Sequence, residues 1–313
     1  MIIVTGGVGF IGSNLVNYLN LMGYDDILII DNFNDGKKLL NIKNLKFKDL
    51  IPAENFYLNI ERYLKKDIEV IFHQGACSDT TNWDGDFILK KNYSSSKVLL
   101  HEALKNNTKF IYASSASVYG LGENGFNENQ VCENPLNPYA LSKLFFDNYV
   151  RKIIKKNDRV SIAGLRYFNV YGINEFHKNE MSSVVLKFYN QLKKKKIAKL
   201  FKGSHGLKNG EHQRDFVHVD DCAKVNYWLF KNEFKSGIFN VGTGISRKFN
   251  DIANILIKIL NYGEIEYVDF PEKLINQYQH NTKADISLLK KIGYNQNFIS
   301  LENGIKKYIE QLQ

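Results

Sequence analysis

Cysteine is scarce in this chain. Its three residues, Cys77, Cys132 and Cys222, stand far apart with no CxxC pair or Cys/His cluster. That spacing argues against a zinc site, so no metal is expected. It also suits a reducing compartment, and the cytoplasm is the expected location. No stretch approaches the roughly 20 consecutive apolar residues of a membrane span. A strand is expected from Met1 onward, which leaves no room for a signal peptide. Acidic residues are outnumbered, 33 Asp and Glu against 42 Lys and Arg, for a net charge of +9. Nucleic acid is nevertheless not expected as a partner. Much of the lysine stands beside Asn and Ile, as in Asn41-Ile42-Lys43-Asn44, a mixture typical of an AT-rich genome. The densest run, Lys193 to Lys196, reads as a solvated helix end. Internal repeats, low-complexity tracts and obvious linkers are all missing.

What remains is a chain of 313 residues with 44% apolar content, enough for one or two domains with a full core. Strand and helix alternate through the first half, the pattern of a parallel sheet covered on both faces. Strands are predicted at 2–5, 26–31, 70–73, 109–113 and 160–166. The first helix spans 9–22, with Gly23 placed to end it. The second half is less regular. A helix at 181–192, a strand at 216–219, a helix at 220–230 opened by an Asp cap, and a strand-to-turn at 237–244 are expected. The fold class is α/β, a Rossmann-type doubly wound parallel sheet with a smaller, discontinuous α+β lobe for substrate. The expected division assigns 1–169 and about 216–244 to dinucleotide binding. About 170–215 and 245–313 then form the substrate lobe.

The chemistry begins at Thr5-Gly6-Gly7-Val8-Gly9-Phe10-Ile11-Gly12. Gly6 permits a turn, Gly9 lets backbone approach a pyrophosphate, and Gly12 lets strand and helix pack closely. Helix amides then face the phosphates. A glycine pattern alone is weak; strand before and helix after make it specific. Asp31 ends the second strand, where an acid usually binds ribose hydroxyls and favours NAD. Lys37 and Lys38 follow, and a cation there could meet a ribose phosphate, so these residues leave NAD against NADP open. Gly75-Ala76-Cys77-Ser78 and Ser114-Ser115-Ala116-Ser117 each follow a strand, at the carboxyl edge where open α/β sheets bind ligands. Turn formation is the plain alternative for each serine.

Tyr139 and Lys143, in Tyr139-Ala140-Leu141-Ser142-Lys143, share one helix face. A nearby ammonium favours the phenolate, so Tyr139 is expected to exchange a proton well below its reference pKa of about 10. With Ser115 this pair makes a proton-transfer site beside a hydride acceptor, the equipment for oxidising an alcohol.

Together with Arg166-Tyr167-Phe168-Asn169-Val170-Tyr171-Gly172, these segments resemble the extended short-chain dehydrogenases/reductases over most of the chain. More narrowly, the chain resembles the ADP-L-glycero-D-manno-heptose-6-epimerase family almost end to end. The strings that narrow it include His73-Gln74-Gly75-Ala76-Cys77-Ser78, Thr80-Thr81-Asn82-Trp83-Asp84-Gly85 and Glu175-Phe176-His177-Lys178. Lys199-Leu200-Phe201, Gln213-Arg214-Asp215-Phe216-Val217 and Phe270-Pro271-Glu272-Lys273-Leu274 extend the match.

That resemblance implies inversion of C6 in an ADP-linked heptose for the lipopolysaccharide inner core. The implied cofactor is NADP, tightly held, with NAD less favoured. Two acid/bases are implied, at Tyr139 and Lys178; Lys143 would hold the nicotinamide ribose and Ser115 the reacting oxygen. From residues alone, Lys178 reads as an exposed loop lysine. Implied cofactor contacts are Gly6, Gly9, Phe10, Ile11, Gly12, Asp31, Asn32, Lys38, Gln74, Gly75, Ala76, Cys77, Ser78, Asn92, Lys143, Val170 and Lys178. Implied substrate contacts are Asn169, Phe201, Lys202, Gly203, Ser204, Arg214 and Tyr278. Arg214 suits the task because guanidinium binds pyrophosphate through two parallel hydrogen bonds. The implied partner is the ADP-heptose substrate, within a homo-oligomer, a pentamer in the family.

The sequence departs from the pattern in places. Glu180 stands for an expected serine, Lys187 for a histidine, and Ala53 for a lysine near the cofactor phosphate. Lys91 precedes Asn92 where an Asn pair is usual, and His205 to Gln213 are extra residues. The alternatives are another nucleotide-sugar epimerase or dehydratase of this scaffold, and a non-catalytic cofactor sensor.

Overall fold

The computed structural model describes residues 1–64, 67–157, 159–204, 206–271 and 279–313. Among these, the first six strands are β1 (Ile2–Thr5), β2 (Ile27–Asp31), β3 (Asp49–Pro52), β4 (Val70–His73), β5 (Lys109–Ser115) and β6 (Ile162–Tyr167). Then follow β7 (Asn169–Tyr171), β8 (Ile197–Phe201), β9 (Gln213–His218), β10 (Gly237–Val241), β11 (Ser246–Lys248) and β12 (Glu264–Val268). Seven of them form one parallel sheet in the order β10-β6-β5-β4-β1-β2-β3. Strand order reverses between β1 and β4, and the carboxyl edge there is where doubly wound sheets bind ligands.

The apolar runs explain burial on both faces. In β1 and β2, Ile2, Val4, Ile27 and Ile29 join one core cluster, while Ile3, Leu28 and Ile30 join the other. Successive strand side chains point to opposite faces, so a run without polar gaps is covered on both sides. The Phe10–Leu21 and Val219–Lys231 helices cover the first face through Leu15, Val16, Leu19, Cys222 and Leu229. The Ser95–Lys105 and Pro138–Ile154 helices cover the second through Leu99, Leu100, Phe146 and Val150. Each Leu, Val or Phe among them, fully buried, stabilises the fold by about 1.5–3 kcal/mol.

The second half differs from expectation in three places. The predicted strand at 216–219 is the end of β9, with Val219 already in the helix; β9 pairs with β7 and β11 in a separate three-stranded sheet, whereas β10 returns to the large one. The helix after β9 is capped by His218, whose Nδ1 accepts from the Asp220 N–H at 3.2 Å, so Asp220 sits in the first turn rather than at the cap. The helix expected from 181 starts at Val184, because the Ser183 hydroxyl caps the Leu186 N–H at 3.3 Å. Residues Phe176–Met181 form a separate 3-10 turn. Gly23 ends the first helix as expected, at φ +88°. β8 and β12 pair in parallel, and a third core cluster packs the Val184–Lys195, Phe249–Leu260 and Leu301–Leu312 helices together. No described helix is long and apolar enough to cross a membrane.

Candidate active site

A cleft of about 490 Å³ opens at the carboxyl edge of the large sheet. The glycine loop forms one side of it. Gly6 has φ +68°, and a Cβ there would lie 2.6 Å from the Gly75 amide nitrogen. A Cβ on Gly12 would lie 2.1 Å from the Gly6 carbonyl oxygen. Gly9 caps the Phe10–Leu21 helix without a side chain, and the first turn holds no acid. Its leading amides are therefore left to an anion. These features fit the pyrophosphate of a dinucleotide.

At the end of β2, Asp31 accepts from the Val8 N–H at 3.0 Å, from the Asn32 N–H at 2.7 Å and from Lys38 Nζ at 2.6 Å. Lys38 also donates to the Asn32 carbonyl at 3.1 Å. The ribose-reading position thus carries an acid and a cation together. Asp31 pairs in register with Pro52, so Ala53 adds no charge beside it.

The proton-transfer group stands on the tyrosine helix and the end of β5. Asn137 caps the Pro138–Ile154 helix by accepting from the Ala140 N–H at 2.9 Å, which fixes Tyr139 in the first turn. The Ser115 hydroxyl stands beside the Tyr139 phenol in the cleft, where it acts to lower the phenol's pKa, and accepts from the Ser117 hydroxyl at 2.9 Å. Lys143 Nζ donates to the Ala113 carbonyl at 2.7 Å and lies 6.0 Å from the Tyr139 ring centre. The expected depression of the phenol is absent. Burial pushes Tyr139 up, and Ser115 only partly offsets it. Lys143 is instead pushed down to about 8 by burial, against the attraction of Asp147. Desolvation is the largest influence on both groups.

Lys178 reaches the cleft from the Phe176–Met181 turn, with Nζ 5.7 Å from the Phe10 ring centre. The exposed-lysine alternative does not hold, since Lys178 is half-buried where its turn folds back against the glycine loop. Burial lowers its pKa, and Glu175 opposes that shift.

The cleft is also lined by Gly9, Phe10, Ile11, Lys38, Val170 and the residues from Gln74 to Ser78. Asn32 and Asn92 do not line it. Asn92 is 1% exposed and works from behind: its side chain accepts from the Cys77 N–H at 2.8 Å. Its amide donates to the Cys77 carbonyl at 2.9 Å and to Ser142 at 3.0 Å. Ser142 in turn bonds the Tyr139 carbonyl, so one amide joins the cofactor-side turn to the tyrosine helix.

None of the described residues expected to contact substrate is among those lining this cleft. Phe201 packs on Phe270 at 4.9 Å between ring centres. Lys202 pairs with Asp269, the Gly203 N–H donates to Asn209, and Ser204 bonds His212. Arg214 is 7% exposed and stacks over Phe249 at 5.6 Å. Asn169 stands between the cleft residues Phe168 and Val170, and donates to the Asp215 carbonyl and the Thr282 hydroxyl, both at 3.2 Å. Tyr278 and His205 lie outside the described residues, as do Glu272, Lys273 and Leu274 of the matching string.

Ser114 is expected only as part of the ligand edge, and sequence reasoning assigns no site role to Asp79, Ala113, Tyr167, Phe168, His177 and Met181, which also line the cleft. Adjacency to Ser115, Asn169 and Lys178 was the available signal for some of them. Two departures from the family pattern meet each other, since Lys187 Nζ donates to the Glu180 carbonyl at 2.6 Å and lies 3.9 Å from its carboxylate.

A glycine cradle at the switch point, with Ser115, Tyr139 and Lys143 in the same cleft, is the arrangement of a nicotinamide-dinucleotide-binding fold. The chain belongs to the NAD dependent epimerase/dehydratase family, whose pattern it matches over residues 2–242. It is 47% identical to an ADP-L-glycero-D-manno-heptose-6-epimerase of Brachyspira hyodysenteriae, over 100% of this chain and 98% of the relative. Among solved structures it is similar to the Helicobacter pylori ADP-L-glycero-D-manno-heptose-6-epimerase. The TM-score is 0.84 at 33% identity, covering 99% of this chain and 95% of that one. It is also similar to a Bacillus cereus UDP-glucuronic acid 4-epimerase variant in complex with a fluorinated UDP-sugar and NAD. There the TM-score is 0.81 at 26% identity, over 100% and 99% of the two chains.

Proposed function

We propose that this chain inverts C6 of the heptose in ADP-D-glycero-β-D-manno-heptose, giving the L-glycero epimer for the lipopolysaccharide inner core. The observation that carries this reading is that Tyr139 and Lys178 line one cleft from different elements. Inversion needs a proton handled in two orientations of one carbon, and a single acid/base suits only one. A bound nicotinamide dinucleotide supplies reversible hydride transfer. Tyr139 and Lys178 move the hydroxyl proton, Ser115 orients the reacting oxygen, and Lys143 holds the ribose side of the cleft. On the resemblance, Arg214, Asn169, Phe201, Lys202, Gly203, Ser204 and Tyr278 bind the sugar nucleotide. Asn32 and Asn92 act on the cofactor side, Asn92 through the Cys77 turn.

NADP is the favoured cofactor and NAD the alternative, on the resemblance, with Lys38 beside Asp31 as the cation that could meet a ribose phosphate. The same reading makes the protein a cytoplasmic homo-oligomer, a pentamer. The test is an NMR assay of purified protein with ADP-D-glycero-β-D-manno-heptose and no added cofactor. Appearance of the L-glycero epimer is expected. An unchanged sugar from protein that carries its dinucleotide overturns the proposal in favour of another substrate or a sensor.

A further inference from the structure

Glu175 stands three residues before Lys178 and is only 1% exposed. A buried carboxylate is costly unless donors surround it. Four do: the Gly172 N–H at 3.4 Å, the Ser183 N–H at 2.5 Å, the Ser183 hydroxyl at 2.7 Å and the Tyr308 hydroxyl at 3.0 Å. They come from the exit of β7, from the cap of the Val184–Lys195 helix and from the C-terminal Leu301–Leu312 helix. One side chain thus ties both ends of the turn that carries Lys178 and pins it to a distant helix.

The turn itself depends on such support. Asn174 and Asn179 hold φ of +74° and +45°, conformations that persist only where surroundings enforce them. Inside the turn the Lys178 N–H donates to the Glu175 carbonyl at 3.0 Å. On the cofactor side, Asn41 donates to the Val8 carbonyl at 2.9 Å and the Asn174 carbonyl at 3.2 Å. Glu175 anchors the turn to the C-terminal helix instead.

We propose that Glu175 is a positioning residue of the epimerisation, which with Tyr308 holds Lys178 over the cleft and balances its charge. The proposal rests on Lys178 being the second acid/base. The charged and titratable groups around the turn are Glu175 at its start, His177 and Glu180 within it, Lys187 bound to Glu180, Lys38, Asp31 and Asp35 on the cofactor side, and Tyr308 behind. Of these, Glu175 is the charge that favours the Lys178 ammonium. Burial pushes the Tyr308 phenol far up, so it stays a neutral donor.

The experiment compares wild type, Glu175→Gln and Tyr308→Phe in the NMR assay, with kcat and KM measured across pH. Glu175→Gln is expected to keep its circular dichroism spectrum and bound dinucleotide. Its kcat should fall by about tenfold or more with KM little changed, as misplacement of a catalytic group does. Loss of the negative charge favours the neutral amine, so the limb governed by Lys178 should move to lower pH. Tyr308→Phe should move it the same way by less, and it decides the matter alone if Glu175→Gln does not fold. An unmoved limb overturns the proposal whether or not kcat falls, because a purely structural carboxylate would leave it in place. Wild-type protein that leaves the sugar unchanged overturns the C6-epimerase reading itself, and this assignment with it.

Discussion

Lys178 owes its place in the cleft to a turn, and its chemistry to burial that pulls an ammonium towards neutrality. Replacing it with methionine keeps most of the apolar stem and removes the titrating group. Lys178→Met should retain the fold and the bound dinucleotide while epimerisation falls by about 10²–10⁴-fold, the usual worth of a general acid/base. Full turnover by NMR would refute the two-base account. Lys38 makes a second test at this scale, because its ammonium neutralises Asp31 in the ribose-reading corner. Lys38→Ala should weaken NADP relative to NAD by about tenfold, the scale of one charge-assisted hydrogen bond. Titration of both dinucleotides into stripped protein reads it, and an unaltered ratio would remove Lys38 from phosphate recognition. Tyr139 shows how far residue reasoning reaches. Its spacing from Lys143 puts both on one face, but burial, opposed by Ser115 at Tyr139 and by Asp147 at Lys143, decides their ionisation.

Among the elements, the β1 turn and the helix after it depend on glycines that leave no room for a methyl. Gly12→Ala would put a Cβ 2.1 Å from the Gly6 carbonyl oxygen, so loop or helix must shift. Purified Gly12→Ala is expected to carry little dinucleotide, measured by absorbance after denaturation, and to unfold at lower urea. Wild-type cofactor content would mean that the close approach is dispensable. This part of the site was legible in the sequence because a tight turn between strand and helix is a local event. The caps of the second half were less legible. Asp220 has the better capping chemistry, yet His218 takes the cap because β9 delivers it, fully buried, to that position.

Across the whole molecule, a buried histidine links sheet, helix and pH. His73 ends β4 and bonds Thr5 through Nδ1 and Ser96 through Nε2, each at 2.7 Å. Burial pushes it down to about 3, with the Lys143 charge acting the same way. The unfolded chain protonates it near 6.5, so between about 6.5 and 3 the unfolded state binds the extra proton. Its stabilising contribution is complete above the unfolded value and is lost as pH falls through that window. His177 and His218 are also lowered and act in the same direction. In urea denaturation from about pH 7 to 4, His73→Gln should lower overall stability and flatten its fall with acid. An equally steep fall would show that His73 does not set the slope. The two-lobe division remains our proposal, with the Phe216–His218 segment seated in the small sheet between β7 and β11.

The order of amino acids alone dictates the alternation of strand and helix, the glycine cradle and the Tyr139–Lys143 pair. Each rests on periodicity or spacing within a few residues, where local geometry settles the outcome. Packing between distant segments governs the rest. It brought Lys178 into one cleft with Ser115, put Asn92 behind the Cys77 turn, and closed Glu175 on Tyr308. It also set the ionisation of Tyr139, Lys143 and His73, because desolvation depends on what packs around a group rather than on its neighbours in the chain.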